Sequence, residues 1–227
     1  MKRRVVVTGI GALTPIGNNV NDTWKGILNH QCGIDLIQSF DTSNMKVKVA
    51  GELKNFEATE YLDKKDVRKM DKFIQYGLIA AKEAIKDSKL EIDSINHDRF
   101  GVVVSSGIGG LGSIEENHQR GLKKGFDRVS PYFIPMTIAF KAQGLATCPV
   151  TACAGGTNAI GDAFRNIRDG YLDVTIAGGC EASITPLGIG GFTSMKALSE
   201  SHDPKRASIP FDKERNGFVM GEGAGML

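Results

Sequence analysis

The chain has 227 residues, of which 41% are hydrophobic, with 28 Lys and Arg against 26 Asp and Glu and a formal net charge of +2. That apolar content can build a buried core and excludes a disordered chain. The near-neutral balance lacks the basic footprint of a nucleic-acid binder, and no apolar run reaches the roughly 18 residues that span a bilayer, so neither nucleic acid nor membrane is expected as a partner.

In chain order, the first element is a β-branched run closed by glycine, Val5-Val6-Val7-Thr8-Gly9. The basic residues Lys2, Arg3 and Arg4 before it resemble the opening of a leader peptide, but the apolar stretch stops far too soon, and residues 5–9 are predicted as a strand. Residues 46–53 alternate at period 2 and are expected to make an exposed strand. From 66 to 85 the apolar positions Val67, Met70, Ile74, Leu78, Ala81 and Ile85 recur near every 3.6 residues, as in one amphipathic helix. A second strand is predicted at 100–106, a short one ending at Thr151, a helix over 154–167 through Ala159, Ile160, Ala163, Phe164 and Ile167, and a further strand at 173–179. Short apolar strands ending in small residues suit a sheet covered on both faces. Their alternation with helices predicts an α/β fold with a layered, largely parallel sheet, and no linker composition divides residues 1–227. The 28 glycines, well above the roughly 7% of ordinary usage, fit the tight loops of such a fold.

Cys32, Cys148, Cys153 and Cys180 show no CxxC or Cys/His spacing, so neither a metal site nor a disulfide framework is expected, and a reducing cytoplasm fits. Three segments carry possible chemistry. Gly107-Ile108-Gly109-Gly110-Leu111-Gly112 satisfies GxGxxG between a strand and a helix, the context of a dinucleotide-binding turn. The acid expected about 20 positions on, at the end of the next strand, has only Asp127 as a candidate, in the unstrand-like run Lys123-Lys124-Gly125-Phe126-Asp127-Arg128. A nicotinamide-dependent reductase rests on this motif alone; the other reading is of structural or pocket-lining glycines. Cys153 lies in Thr151-Ala152-Cys153-Ala154-Gly155-Gly156, where a strand runs into a helix. A sulfur at a helix N-terminus is favoured as thiolate, and the small neighbours leave room for a substrate carbonyl and an oxyanion hole. The alternative is a buried structural cysteine; Cys180, at a strand end, is the rival nucleophile, and Cys32 and Cys148 are read as structural. Lys64, Lys65, Arg68, Lys69 and Lys72 stand with only Asp66 and Asp71 between them, either a solvated face or a docking patch for an acidic partner that Lys123, Lys124 and Arg128 would extend.

Four segments in order resemble the β-ketoacyl-[acyl carrier protein] synthases, the elongating condensing enzymes of bacterial fatty-acid synthesis. They are the opening Val5-Val6-Val7-Thr8-Gly9-Ile10-Gly11-Ala12-Leu13-Thr14-Pro15-Ile16-Gly17-Asn18, the run from Arg68 to Tyr76, the nucleophile motif around Cys153, and the block from Pro210 to Gly225. The resemblance implies a thiolase-like layered fold, α-β-α-β-α, of which this chain covers roughly the N-terminal half, in an enzyme that is a homodimer without cofactor or metal. It implies that Cys153 takes an acyl chain from acyl carrier protein and that malonyl-loaded carrier protein, losing carbon dioxide, extends it. Gly107, Ile108, Ala152 and Phe192 would line the acyl pocket, and Phe133 and Ile134 would lie where the dimer partner completes it. Lys65, Arg68, Lys69 and Arg128 would dock the acidic carrier protein.

Two departures stand out. The family's decarboxylation histidines come from HGTGT-type and GH-type motifs that this chain lacks, and His30, His97, His118 and His202 read as surface residues. Ala139-Phe140-Lys141-Ala142-Gln143 stands where the family has a longer segment. The chain alone is therefore expected to be acylated at Cys153 at most. A non-catalytic acyl-binding partner subunit of a polyketide or fatty-acid synthase is the other reading; such subunits usually lack the cysteine.

Overall fold

The computed structural model describes residues 2–128 and 143–227. Phe133, Ile134 and the stretch around Phe140 lie outside the described residues. The central sheet has five strands: β1 (Gly11–Leu13), β4 (Phe100–Ser105), β5 (Ala146–Thr147), β6 (Val174–Glu181) and β7 (Gly223–Met226), in the order β1-β7-β6-β4-β5. β4 runs parallel to β5 and β6, whereas β7 is antiparallel to both β6 and β1, so the sheet is mixed rather than largely parallel. A two-stranded antiparallel pair, β2 (Asp35–Leu36) and β3 (Val49–Ala50), stands apart.

Helix α1 (Val20–Leu28) follows β1 in the chain, and helix α3 (Lys72–Ser88) crosses one face of the sheet, where Tyr76, Ile79, Ala80 and Ala84 pack with Leu13, Phe100, Ile176 and Met226. Burying a side chain such as Phe100 or Leu13 completely, both at 0% exposure, contributes about 1.5–3 kcal/mol each. Helix α5 (Gly155–Arg168) covers the other face through Ala159 and Ala163 against Val103 and Ala177. The described residues thus form three layers, helix on sheet on helix. The approach of α3 to β1 is backbone to backbone: a Cβ added at Gly11 would lie 1.8 Å from the Ala80 carbonyl oxygen, so only glycine fits there.

Several elements differ from expectation. Residues 5–9 are not a strand; the first one starts at Gly11. Its antiparallel register with β7 begins with Gly11 opposite Met226, and residues 5–9 pair with no described strand. Val6 and Val7 are each 59% exposed. The amides of Ile10 and Ala12 turn instead to carboxylates of α3, Asp87 at 3.0 Å and Glu83 at 3.0 Å. The period-2 alternation at 46–53 is real but only Val49–Ala50 forms a strand, with Gly51 adding a single bridge to Gly221, and Val47, Val49 and Ala50 are buried rather than exposed. Val47 and Ala50 close a second core with Ile189, Leu198 and Met220. The single helix at 66–85 is two, α2 (Lys64–Val67) and α3, because Asp71 leaves the helix to cap α3, its Oδ1 accepting from the Phe73 amide at 3.2 Å. The short strand ending at Thr151 pairs only over Ala146–Thr147. The strands predicted at 100–106 and 173–179 and the helix at 154–167 stand within two residues of their observed limits.

Candidate active site

The C-terminal ends of β4 and β6 and the start of β7 open into a cavity of about 690 Å³. Its walls include Leu13, Ile108, Phe192, Phe218 and Met220, and Gly107, Ala152 and Cys153 lie on it. Five of the expected residues, Gly107, Ile108, Ala152, Cys153 and Phe192, therefore share one mainly apolar chamber, although they come from a βα turn, a helix start and helix α6 (Pro186–Ser194). Phe192 also packs edge-on against Phe218 with ring centroids 5.5 Å apart.

Cys153 sits in a single 3₁₀ turn, Ala152–Ala154, directly before α5. Ala152 takes φ +49°, a left-handed conformation that costs an L-residue about 1–2 kcal/mol. The strain makes a sharp elbow between strand and helix, and Cys153 stands exposed at its tip. The first turn of α5 has no side-chain cap, and the positive end of its dipole lies beside the thiol. Two glycines seat this helix. A Cβ at Gly155 would fall 2.0 Å from Ser105 Oγ, and one at Gly156 3.5 Å from the Gly179 Cα. A side chain at 155 would hold α5 off the end of β4, while the contact at 156 is an ordinary close one. Ser105, buried beneath, donates to the Pro149 carbonyl at 2.6 Å, and Asn158 Nδ2 reaches back to Thr151 Oγ1 at 2.8 Å.

The rival thiol is disfavoured. Cys180 lines the same chamber but is 8% exposed and turned toward α3, where a Cβ at Gly77 would lie 3.0 Å from its sulfur. Burial, with help from the neighbouring Glu181 carboxylate, pushes its thiol up to about 12. Cys32 and Cys148, expected to be structural, are exposed. His30, His118 and His202 are exposed and His97 half-buried, and none of the four lies on the Cys153 chamber.

The GxGxxG turn is held by acids. Glu181 Oε2 accepts from the Gly107 and Ile108 amides at 2.8 and 3.0 Å, and its Oε1 accepts from the Ser183 and Ser106 hydroxyls at 2.6 and 3.4 Å. At the start of α4 (Leu111–Lys124), Asp71 Oδ2 accepts from the Ser113 amide at 3.0 Å and hydroxyl at 2.6 Å. The amides that would cradle a pyrophosphate are thus taken by carboxylates, which would also repel it, so the dinucleotide reading has no seat. Sequence reasoning passed over Glu181; an acid directly after Gly178-Gly179-Cys180, closing an apolar strand, was its only signal.

The basic residues are brought together only in part. Lys65, Arg68 and Lys69 are exposed, and a groove of about 750 Å³ between the start of α3 and α4 is lined by Arg68, Lys69, Lys72 and Arg120. Arg128 is exposed in the turn Phe126–Arg128 beyond α4 and does not line that groove.

Solved structures share this fold. The ishigamide ketosynthase/chain length factor superposes with a TM-score of 0.88 at 28% identity, over 100% of this chain and 58% of that one. A beta-ketoacyl synthase from Burkholderia phymatum gives 0.82 at 27% identity over the same shares. AntDE:AntF, a type II PKS acyl-carrier protein in complex with its ketosynthase bound to the hexaketide, gives 0.77 at 31% identity, over 100% and 58%. The chain has the thiolase-like fold of these ketosynthases.

Residues 2–227 match the family described as Beta-ketoacyl synthase, N-terminal domain, and the chain belongs to that family. It is 49% identical to 3-oxoacyl-[acyl-carrier-protein] synthase 2 of Synechocystis sp., over 100% of this chain and 57% of the relative, and 48% identical to the synthase 2 of Staphylococcus aureus strain COL, over 99% and 57%. The chain spans about 57% of the length of these curated relatives.

Proposed function

We propose that residues 1–227 form the N-terminal half of an elongating 3-oxoacyl-[acyl carrier protein] synthase and carry its acyl-transfer half-reaction. The observation that bears most weight is Cys153 at the tip of a strained elbow, opening into a mainly apolar chamber. Its thiolate would attack the thioester carbonyl of an acyl-loaded carrier protein, and the carrier's thiol would leave with the proton. Thiolate suits both roles because it is a good nucleophile and a good leaving group. In the complete enzyme, malonyl-loaded carrier protein would lose carbon dioxide, and its carbanion would attack the Cys153 thioester, freeing the thiolate and giving a β-ketoacyl product two carbons longer. That second step needs the histidine motifs this chain lacks.

Gly107, Ile108, Ala152 and Phe192 would enclose the acyl chain; Phe133 and Ile134 would meet it from the partner subunit of a homodimer. Lys65, Arg68, Lys69 and Arg128 would steer the acidic carrier protein, a reading in keeping with the carrier protein in the AntDE:AntF complex. Outward-facing Ile160 and Phe164 of α5, 39% and 45% exposed, are where a second half would pack to complete α-β-α-β-α. Among the described residues no helix is long and apolar enough to cross a membrane; we place the enzyme in the cytoplasm, where its four free thiols would stay reduced.

The test is intact-mass analysis of the 227-residue chain after incubation with acyl-loaded carrier protein, with Cys153→Ala alongside. One acyl adduct that maps to Cys153 and is absent from the variant is expected. No adduct, with a full-length relative acylated in parallel, would remove even the half-reaction.

A further inference from the structure

We propose that Glu181 is the positioning residue that sets the depth of the Cys153 chamber. The inference rests on the reading of that chamber as an acyl pocket. Ile108 forms part of the wall, yet it sits on a turn with little of its own to hold it: Gly107 precedes it and Gly109 follows at φ +77°. What fixes the turn is one carboxylate from the end of β6, 73 and 74 residues away in sequence.

Glu181 gathers the Gly107 and Ile108 amides on one oxygen and the Ser183 and Ser106 hydroxyls on the other. Ser106 Oγ in turn accepts from the Gly109 amide at 3.0 Å, so both sides of Ile108 are tied to the same acid. Ser183 is 0% exposed, which anchors the acid itself to the core. The turn is also crowded against it, since a Cβ at Gly107 would fall 2.9 Å from Glu181 Oε2. A wall pinned in this way has one position, and a chain too long for the chamber meets it.

The geometry makes a specific demand on the replacement. Gln at 181 can turn its oxygen to the two turn amides and donate its NH₂ to the serine hydroxyls, which rotate to accept, giving up only the long bond from the Ala182 amide, 3.3 Å from Glu181 Oε1. Ala leaves the amides without an acceptor and frees the turn. The experiment measures the rate of Cys153 modification by N-alkyl iodoacetamides of increasing chain length in the 227-residue chain, with Cys32 and Cys148 changed to Ser throughout. The parent should show a length beyond which the rate drops by about tenfold or more, the scale at which apolar pockets discriminate methylenes. In Glu181→Ala the drop should shrink to within about twofold, and in Glu181→Gln it should remain. Hydrogen exchange at the Gly107 and Ile108 amides should speed up in Glu181→Ala while that of Val103 in β4 holds.

A drop retained in Glu181→Ala, or lost equally in Glu181→Gln, overturns the role of Glu181 and leaves the acyl-pocket reading standing. Absence of any length dependence in the parent overturns the pocket reading, and this inference with it. If Glu181→Ala does not fold, Gly107→Ala presses on the same oxygen and should shift the length limit; an unchanged limit there counts against the proposal.

Discussion

At the scale of single residues, two cysteines on one chamber differ in chemistry because of where their chain segments lie. Cys153 is on a turn that leads into a helix, outside the packed layers. Cys180 is on a strand with α3 across its sulfur, and the low polarity there favours its neutral thiol. With that thiol near 12, its thiolate fraction at pH 8 is about 10⁻⁴. Iodoacetamide at pH 8 should therefore label the native chain at Cys32, Cys148 and Cys153 and reach Cys180 only after denaturation, which intact mass and peptide mapping would show. Fast labelling of Cys180 in the folded chain would contradict the packing. The Cys153 motif was legible in sequence because the elbow is local: strand, small residues and helix follow one another within a few positions. The burial of Cys180 depends on α3, about a hundred residues earlier, and no local pattern carries it.

At the scale of elements, the seat of α5 is what places Cys153. The helix sits against the end of β4 because Gly155 has no side chain. Gly155→Ala sets a methyl 2.0 Å from Ser105 Oγ, and because Ser105 is itself tied to the Pro149 carbonyl it does not yield cheaply. We expect a loss of about 1–3 kcal/mol in urea unfolding together with slower acylation of Cys153; Ser105→Gly in the same chain should recover part of both. Stability equal to the parent would mean that α5 is not wedged as described. The two-helix break at Arg68 to Asp71 belongs to this scale as well. Helical periodicity runs straight through it, and the competing signal, an Asp able to cap, was present in the sequence. Which of them prevailed depended on Ser113 of α4 arriving to share the Asp71 carboxylate.

For the molecule as a whole, one ionic knot joins three distant segments. Asp173, at the start of β6, receives Arg99 Nε at 2.6 Å and Nη2 at 2.8 Å from the lead-in to β4, and Arg3 Nη1 at 2.5 Å from the N-terminal segment. The two guanidinium groups hold its carboxyl well below the usual carboxylate range. A depressed carboxyl contributes stability that is present above its unfolded value, near 3.9, and is lost as pH falls through the lower folded value. Asp173→Asn should therefore lower Tm at pH 7, and the gap between variant and parent should close as the pH is taken below about 4. A constant gap across that range would show that the charge plays no part. Because the knot is exposed, salt should also narrow the gap.

By itself the sequence determined what is periodic or contiguous: the apolar strands β4 and β6, helix α5, the glycine-rich turn and the elbow at Cys153. Each follows from properties of neighbouring residues, namely side-chain alternation, propensity and conformational freedom. Tertiary structure alone decided what depends on a partner. It began the first strand at Gly11 rather than at Val5, since a strand needs an opposing backbone and the β7 ladder begins at the Gly11–Met226 pair. It made β7 antiparallel to its neighbours, buried Cys180, and delivered the Glu181 carboxylate to the turn beside Cys153. A hydrogen-bond acceptor more than seventy residues from its donors leaves no periodic trace, so only the folded chain reveals what holds the chamber wall.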